Sequence, residues 1–188
     1  MLHALLSADA ALFHFINTTL GNPVFDALLP LFRERLFWSP LYLFLVAFFP
    51  LNFGRKGRTI VLLTCLAVGM ADFTSSTLIK KNVQRIRPCN DPEMVVQERV
   101  SCGGGFSFPS SHAANHFAVA VLVAGLLGGT ARRWVRPAAL AWAGAIAFSQ
   151  VYVGVHYPVD VTCGALLGIL IGSGALKIFG RLYPDGLE

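Results

Sequence analysis

The sequence predicts an all-α integral membrane protein, a bundle of about five transmembrane helices preceded by N-terminal interfacial helices. Of the 188 residues, 55% are hydrophobic and only 13% are charged, whereas about 25% of the residues of soluble proteins are charged. The apolar residues form long runs, and the 15 Lys and Arg residues fall in short clusters between them. This clustering is typical of membrane-flanking charge, so the net charge of +5 does not predict a nucleic-acid partner.

For residues 1–35, the sequence predicts two helices that lie in the membrane interface. Asn22-Pro23 divides this segment into two pieces of about a dozen residues each, and crossing a hydrocarbon core of about 30 Å takes roughly 20 helical residues. Each piece has an apolar face at helical spacing, as expected for interfacial helices. The two faces consist of Leu12, Phe13, Ile16 and Leu20, and of Val24, Phe25, Leu28, Leu29 and Phe32.

Five later segments are apolar enough and long enough to be predicted as transmembrane helices. They comprise residues 36–53, 59–80, 110–131, 137–155 and 158–179. Together with the interfacial helices and a connecting loop at 81–109, they form a single predicted domain over residues 1–188. On the last helix, Gly164, Gly168 and Gly172 recur every four residues, a pattern that permits close packing of helices within the bundle.

Clusters of basic residues predict how the bundle is oriented. Residues 55–58, 132–136 and 177–181 carry such clusters, and all three lie on the same side of a five-helix bundle. Because cytoplasmic loops are rich in Lys and Arg, we expect that side to be the cytoplasm of a bacterium, with loop 81–109 outside the inner (cytoplasmic) membrane. The loop and the helix end before it are also basic, which a bound anion would explain. The basic residues there are Lys80, Lys81, Arg85, Arg87 and Arg99.

Two cysteines of this external loop, Cys89 and Cys102, lie thirteen positions apart. An oxidising compartment permits a disulfide between them, and we favour this pairing over two free thiols.

Three segments near the external face carry residues suited to phosphate chemistry. In the first, Lys80 and Arg87 are two helical turns apart, so both side chains can point the same way. Lys and Arg bind phosphate oxygens well. Taken alone, this pair is better interpreted as anchors that reach the lipid headgroups.

The second segment runs from Gly103 through Ser110, Ser111 and His112 into an apolar helix. Glycines let a backbone approach a ligand, and the N–H groups of a helix start favour an anion. The alternative is an ordinary loop and helix cap. We disfavour a metal pair of His112 with His116, because no carboxylate cluster lies nearby in the sequence, and we predict no metal or other cofactor.

The third segment joins the last two predicted helices and contains Ser149, Gln150, His156 and Asp160. At this spacing Asp160 can bond one imidazole nitrogen of His156 and leave the other free to attack, as in an oriented nucleophile. The alternative is an interfacial histidine beside a helix-capping aspartate.

In order and spacing, the three segments resemble the three signature motifs of the type 2 phosphatidic acid phosphatase superfamily, membrane lipid phosphatases related to the vanadium haloperoxidases. Lys80, Arg87 and Pro88 match the first motif. Pro109, Ser110 and His112 match the second, with Ser111 where the family usually has Gly. Ser149, His156 and Asp160 match the third, with Gln150 where the family usually has Arg.

The resemblance implies a metal-independent phosphatase that hydrolyses a phosphate or diphosphate monoester of a lipid through a phosphohistidine. In that mechanism His156 attacks phosphorus, Asp160 orients it, and His112 protonates the leaving oxygen. Lys80, Arg87, Ser110, Ser111 and Gln150 are the candidate phosphate-binding residues. Lys81, Arg85 and His116 are candidates to compensate for the missing arginine at position 150.

The expected partners are membrane lipids and a lipid phosphate substrate. Candidate substrates are polyprenyl diphosphate, phosphatidylglycerophosphate, phosphatidic acid and a lipid A phosphate. Two alternatives remain at this point. One is a non-catalytic protein that binds phospholipid or conducts anions, and the other is a lipid phosphotransferase using the same site. The sequence predicts no particular oligomeric state.

Overall fold

The structure is a computed structural model that describes residues 2–129 and 133–187, and the described chain is helical, without β-strands. Its helices are α1 (Leu2–His14), α2 (Pro23–Arg33), α3 (Arg35–Asp72), α4 (Lys80–Val83), α5 (Ser111–Leu127), α6 (Val135–Tyr152) and α7 (Pro158–Leu182). Short π-helical turns at Phe15–Thr19 and Phe73–Ile79 and a 3₁₀ turn at Pro88–Asn90 complete the described elements.

The N-terminal segment divides where the sequence predicts. The Asn22 side chain caps α2 by accepting a hydrogen bond from the Phe25 N–H at 3.0 Å, and Pro23 occupies the first turn. Helix α1 does more than lie on a surface, since Phe13 is completely buried and its ring lies 5.4 Å from that of Tyr157. Leu12, predicted on the same face, is instead 48% exposed. One side of α1 is therefore part of the packed bundle.

Helix α3 contains the helix predicted at 36–53 and the first part of the one predicted at 59–80, whose remainder lies in the π-helical turn Phe73–Ile79 and at Lys80, the start of α4. Its 38 residues are interrupted at Gly54, whose φ of 50° and ψ of −118° are not helical. A Cβ atom on Gly57 would overlap the carbonyl of Phe49, which shows that the chain bends sharply there and brings its two arms together. Phe49 and Ile60 belong to one buried cluster.

By length and hydropathy, two helical segments of the described chain could cross a membrane. They are Leu36–Asn90, which includes the break at Gly54, and Pro158–Leu182. Helix α5 is apolar but has only 17 residues. The all-helical architecture thus agrees with the prediction, whereas the count of five spanning helices stays a prediction.

Helix ends differ by a few residues from those predicted at 110–131, 137–155 and 158–179. Helix α5 begins at Ser111, capped by Ser110, and ends at Leu127; the predicted remainder of this helix includes residues 130–132, which lie outside the described chain, as does Arg132 of a basic cluster. Helix α6 ends at Tyr152, because Gly154 has a φ of 93° and turns the chain. Pro158 opens α7 as expected.

The glycine stripe of α7 packs against α5. Cβ atoms on Gly164 and Gly168 would overlap the carbonyl oxygens of Ser110 and Ala114, and one on Gly172 would crowd Ala118. The prediction that these glycines serve close packing within the bundle is confirmed. This contact fixes the start of α5 beside the first turns of α7, where Ser110 N–H donates to the Asp160 carbonyl at 2.9 Å.

The loop between α4 and α5 is fastened to the N-terminal segment. Cys89 and Cys102 form a disulfide within the loop. Arg99 donates hydrogen bonds to the carbonyls of Asn17 at 2.7 Å and Tyr152 at 3.0 Å, and it pairs with the carboxylate of Asp26. A bound anion is therefore not needed to explain the charge of Arg99, which corrects the interpretation based on sequence alone.

Candidate active site

The three motif segments converge on one cavity of about 880 Å³. Its polar end is lined by Lys80, Arg87, Ser111, His112, Gln150 and His156. These residues come from α4, the α4–α5 loop, the start of α5, the end of α6 and the α6–α7 turn. The candidate nucleophile, a candidate acid and two cations thus face a common space large enough for a tetrahedral anion.

His156 lies in the turn between α6 and α7, and only 2% of its surface is exposed. Its backbone N–H donates to the Gln150 carbonyl at 3.2 Å. Burial lowers the pKa of His156 from its ordinary value of 6.5 to about 4, because a charged imidazolium loses its hydration there. The imidazole is therefore neutral at neutral pH, which is the form that can act as a nucleophile.

Asp160 lies in the first turn of α7 and is completely buried. Its Oδ2 accepts a hydrogen bond from the Tyr157 N–H at 2.9 Å and lies 3.5 Å from His156 Nδ1. At this length and orientation Nδ1 makes a close contact with the carboxylate but no well-formed hydrogen bond. Catalytic hydrogen bonds are often long in ligand-free sites and shorten when substrate binds.

Arg85 does not line the cavity with the other basic side chains. Its two terminal nitrogens donate to Asp160 Oδ1 at 2.7 Å and to Asp9 Oδ2 at 2.6 Å. Asp9 Oδ1 also accepts a hydrogen bond from the Val159 N–H at 2.9 Å. The expectation that Arg85 compensates at the phosphate site is therefore wrong, because two carboxylates already hold its guanidinium.

Sequence reasoning missed Asp9. It is the only acidic residue among the first 25, in an otherwise apolar helix. An acid in such a setting usually points toward the protein interior and a partner, and that was the available signal.

Lys80 and Arg87 reach the cavity by a different route from the one predicted. Helix α4 ends at Val83, and Gln84 adopts a left-handed conformation with φ 53°, so the two cations do not share one continuous helix. Loop carbonyls hold them instead. Lys80 Nζ donates to the Phe106 carbonyl at 3.0 Å, and Arg87 Nε donates to that of Gly105 at 3.2 Å.

The residues of the second motif have two different roles in the structure. Ser110 is completely buried, and its hydroxyl accepts a hydrogen bond from the Ala113 N–H at 3.4 Å to cap α5. Among the described residues that line the cavity, Ser111 and His112 are present and Ser110 is not. The structure therefore uses Ser110 to place the start of α5, whereas Ser111 and His112 face the cavity.

His116 also lines the cavity, one turn beyond His112. Its Nδ1 lies 2.7 Å from the His112 carbonyl, and its ring packs against that of Trp142 at 5.2 Å. Within residues 2–129 and 133–187, no three His, Cys, Asp or Glu side chains form a group that could hold a metal ion. Lys81, which was also a candidate to compensate for the missing arginine at position 150, is not among the described residues that line the cavity.

Gln150 lines the cavity and is completely buried, and in the described structure neither its amide oxygen nor its amide nitrogen has a hydrogen-bond partner. This amide therefore faces the cavity at the position where the family usually has a cation.

Arg33, in the last turn of α2, lines the same cavity. It is close enough to Arg87 for the two positive charges to repel each other. Sequence reasoning missed this residue, because the end of an amphipathic helix is an ordinary place for an arginine.

Comparison with known proteins agrees with the motifs. The model of the PAP2 superfamily matches residues 59–184. The chain belongs to the PAP2 superfamily. This finding confirms the resemblance on which the site prediction was based, and both Asp9 and Arg33 lie outside the matched range.

Individual relatives of this PAP2 protein act on different lipids. The chain is 31% identical to a lipid A 4'-phosphatase of Bacteroides thetaiotaomicron over 98% of its own length and 84% of that protein. It is 29% identical to an undecaprenyl-diphosphatase of Sulfolobus acidocaldarius, covering 75% of this chain and 63% of that one. The crystal structure of a transmembrane PAP2 type phosphatidylglycerolphosphate phosphatase from Bacillus subtilis superposes with a TM-score of 0.74 at 26% identity, covering 96% of this chain and 88% of that one.

Proposed function

We propose that the protein is an integral membrane lipid phosphatase that hydrolyses a phosphate or diphosphate monoester of a lipid through a phosphohistidine on His156. The observation that carries this proposal is the neutral, buried imidazole of His156, which lies beside Asp160 and faces a cavity that contains Lys80 and Arg87. A protein that only binds or conducts anions needs the cations but has no use for an oriented imidazole.

In the first step, the free imidazole nitrogen of His156 attacks phosphorus and the bond from phosphorus to the lipid oxygen breaks. His112 donates a proton to that oxygen, so the lipid leaves as an alcohol, or as a monophosphate when the substrate is a diphosphate. In the second step, His112 accepts a proton from water, which attacks phosphorus, and the P–N bond breaks. Inorganic phosphate leaves and both histidines return to their starting forms.

The cations and amide groups around the cavity stabilise the transferred phosphoryl group. Lys80 and Arg87 retain donors beyond those that bind the loop carbonyls. The Gln150 amide and the Ser111 hydroxyl face the same space, and Arg33 adds a third cation. Phosphoryl transfer depends mainly on such positioning and charge stabilisation.

The remainder of the cavity supports a lipid as the substrate. Apolar side chains from both arms of α3 and from α5 extend the cavity away from the phosphate end. They include Leu45, Val46, Phe49, Val61, Val68, Val119 and Val123. From Lys80 to Val61 the helical rise corresponds to a length on the order of 25 Å. A long apolar tail fits this groove while its phosphate stays among the cations.

We place the site on the extracytoplasmic face of a bacterial inner membrane. The loop that carries Arg87 also carries the Cys89–Cys102 disulfide, and such bonds persist in oxidising compartments. The proposed substrates are those of the sequence prediction, and the substrates named for the lipid A 4'-phosphatase, the undecaprenyl-diphosphatase and the phosphatidylglycerolphosphate phosphatase fall within this set.

A panel of lipid phosphates in detergent tests the function. We expect the wild type to release inorganic phosphate from at least one member, with or without EDTA, and vanadate to inhibit the release. His156→Ala is expected to abolish it. Loss of activity in EDTA would contradict the metal-free mechanism, and transfer of phosphate to a second lipid would identify a phosphotransferase.

A further inference from the structure

A continuous chain of charged side chains connects the N-terminal helix to the candidate nucleophile. Asp9 of α1 binds Arg85, Arg85 binds Asp160, and Asp160 contacts His156. The first two contacts are 2.6 and 2.7 Å long. The carboxylates of Asp9 and Asp160 are 1% and 0% exposed, and the Arg85 side chain is 19% exposed. The chain is therefore largely shielded from water.

Each contact restricts the next one. Asp160 uses Oδ1 for Arg85 and Oδ2 for the Tyr157 N–H, so its carboxylate plane is held from both sides. The planar guanidinium of Arg85 can bridge two carboxylates with separate nitrogens, which a lysine ammonium cannot do with the same geometry. The Arg85 guanidinium also lies 4.0 Å from the centre of the Tyr157 ring.

Asp9 contacts both Arg85 and the helix turn that contains Asp160. Its Oδ2 fixes Arg85, and its Oδ1 accepts the N–H of Val159, in the same first turn of α7 that contains Asp160. One carboxylate from outside the family-matched range thus ties the guanidinium to the helix turn on which the orienting aspartate sits.

We propose that Asp9 and Arg85 are positioning residues that hold the Asp160 carboxylate where it keeps His156 in the reactive tautomer, with the proton on Nδ1. This inference rests on the proposed function, in which His156 is the nucleophile. Asp9 and Arg85 touch neither the substrate nor the reacting nitrogen, and they act only through Asp160.

A second ion pair serves as a control, and its carboxylate is 49% exposed. Arg99 pairs with Asp26 of α2, and its guanidinium lies 4.1 Å from the centre of the Tyr152 ring. This pair also joins the N-terminal segment to the α4–α5 loop, but within the described chain the hydrogen bonds of the Arg99 guanidinium go to Asp26, Asn17, Gln97 and Tyr152, not to Asp160 or His156. Asp26→Asn therefore weakens a second tether of the N-terminal segment without changing the residues that lead to the nucleophile.

The first experiment compares kcat and KM of Asp9→Asn, Arg85→Lys and Asp26→Asn on the best substrate of the lipid panel. We expect the first two to lower kcat about 10- to 100-fold, the range seen when residues that orient metal-binding histidines are lost, with KM within about twofold of wild type. Asp26→Asn is expected to keep kcat within about twofold. Equal losses in all three variants would overturn the proposal, because loss of a general tether would then explain them.

The second experiment does not depend on activity. Nitrogen-15 NMR of histidine-labelled protein reports the tautomer of His156, whose signal is assigned by its loss in His156→Ala. We expect a single tautomer protonated on Nδ1 in the wild type and in Asp26→Asn, and a mixture in Asp9→Asn and Arg85→Lys. An unchanged tautomer in both of the latter variants would overturn the inference.

The two experiments separate the inference from the proposed function. An inactive wild type with the expected tautomer pattern would reject the lipid phosphatase and retain the positioning chain. If thermal unfolding shows that Asp9→Asn does not fold, both measurements are made on Arg85→Lys, because this variant keeps the buried positive charge.

Discussion

His156 Nδ1 and Asp160 Oδ2 lie 3.5 Å apart, in contact but without a well-formed hydrogen bond. The carboxylate is already held by Tyr157 and Arg85, so a small movement of the imidazole suffices to form the bond. Attack on phosphorus places positive charge on the ring, which draws it toward the carboxylate. The contact between the ring and the carboxylate therefore strengthens as the reaction proceeds.

Asp160→Asn tests this relationship. An amide keeps the shape of the side chain but cannot stabilise the developing imidazolium, and a similar change in a serine protease triad lowers kcat about 10⁴-fold. We expect a loss of about 10³- to 10⁴-fold in kcat, measured as phosphate release, with a smaller change in KM. A loss below about tenfold would contradict the orienting role. Thermal unfolding of the variant checks that loss of the Arg85 contact has not unfolded the protein.

The pH dependence of kcat/KM follows from the lowered pKa of His156. The pKa is about 4 because burial disfavours the charged ring, so the nucleophile is neutral at every pH above that value. Protonation of His156 is expected to lower the rate as the pH drops through about 4, and not near 6.5. Because kcat/KM reports the ionisation of the free enzyme, the profile should be measured at low substrate concentration. The phosphate of the substrate has a second pKa of about 6 and can itself produce a limb near that pH. A pKa near 6.5 for the His156 ring, read from the pH dependence of its nitrogen-15 NMR signal, would therefore be the result that contradicts the buried neutral imidazole.

The motifs allowed the polar wall of the cavity to be predicted, because the functional residues lie near helix ends and local spacing determines how those ends begin. Ser111, His112, Gln150 and His156 all face the cavity as the resemblance implied. Ser110 differs because its hydroxyl caps helix α5. The motif alone does not predict whether this hydroxyl caps the helix or faces the ligand.

The partners of Arg85 could not be predicted in this way. Asp9 and Asp160 are 76 and 75 positions away in the chain, and pairs so distant depend on how α1 packs against α7. Rules based on sequence spacing relate residues that are about one helical turn apart. They cannot identify distant partners, so every basic residue near the loop remained a possible anion ligand. The same limit applies to Arg33, which α2 brings to the cavity from outside the motifs.

His112 is expected to act on the leaving group. His112→Ala should slow a lipid phosphate, whose alkoxide is a poor leaving group, about 10²- to 10⁴-fold, which is the usual contribution of general acid catalysis. An aryl phosphate with a low leaving-group pKa needs little proton donation, so its rate should change far less in the first step. Single-turnover release of the alcohol compares the two. Equal losses on both substrates would argue against a general acid.

Arg33 and Gln150 are expected to be coupled. Arg33→Gln removes a cation from the cavity and should lower kcat/KM about 10²- to 10³-fold, as removal of one stabilising donor typically does. Adding Gln150→Arg in that background restores a cation and should recover much of the loss. In the wild-type background, Gln150→Arg crowds three existing cations and should not raise the rate. A double-mutant cycle of the four proteins measures the coupling, and equal effects of Gln150→Arg in both backgrounds would show that the two positions act independently.

The disulfide gives a test of which side of the membrane carries the site. In whole cells, a thiol reagent that cannot cross the inner membrane is expected to label Cys89 and Cys102 after mild reduction, because their loop faces the oxidising side. A variant with both cysteines changed to serine measures the background from Cys65 and Cys163, which are not disulfide-bonded. Labelling above that background in intact cells supports an extracytoplasmic site. Labelling only after lysis would place the loop, and with it Arg87 and the phosphate end of the cavity, in the cytoplasm.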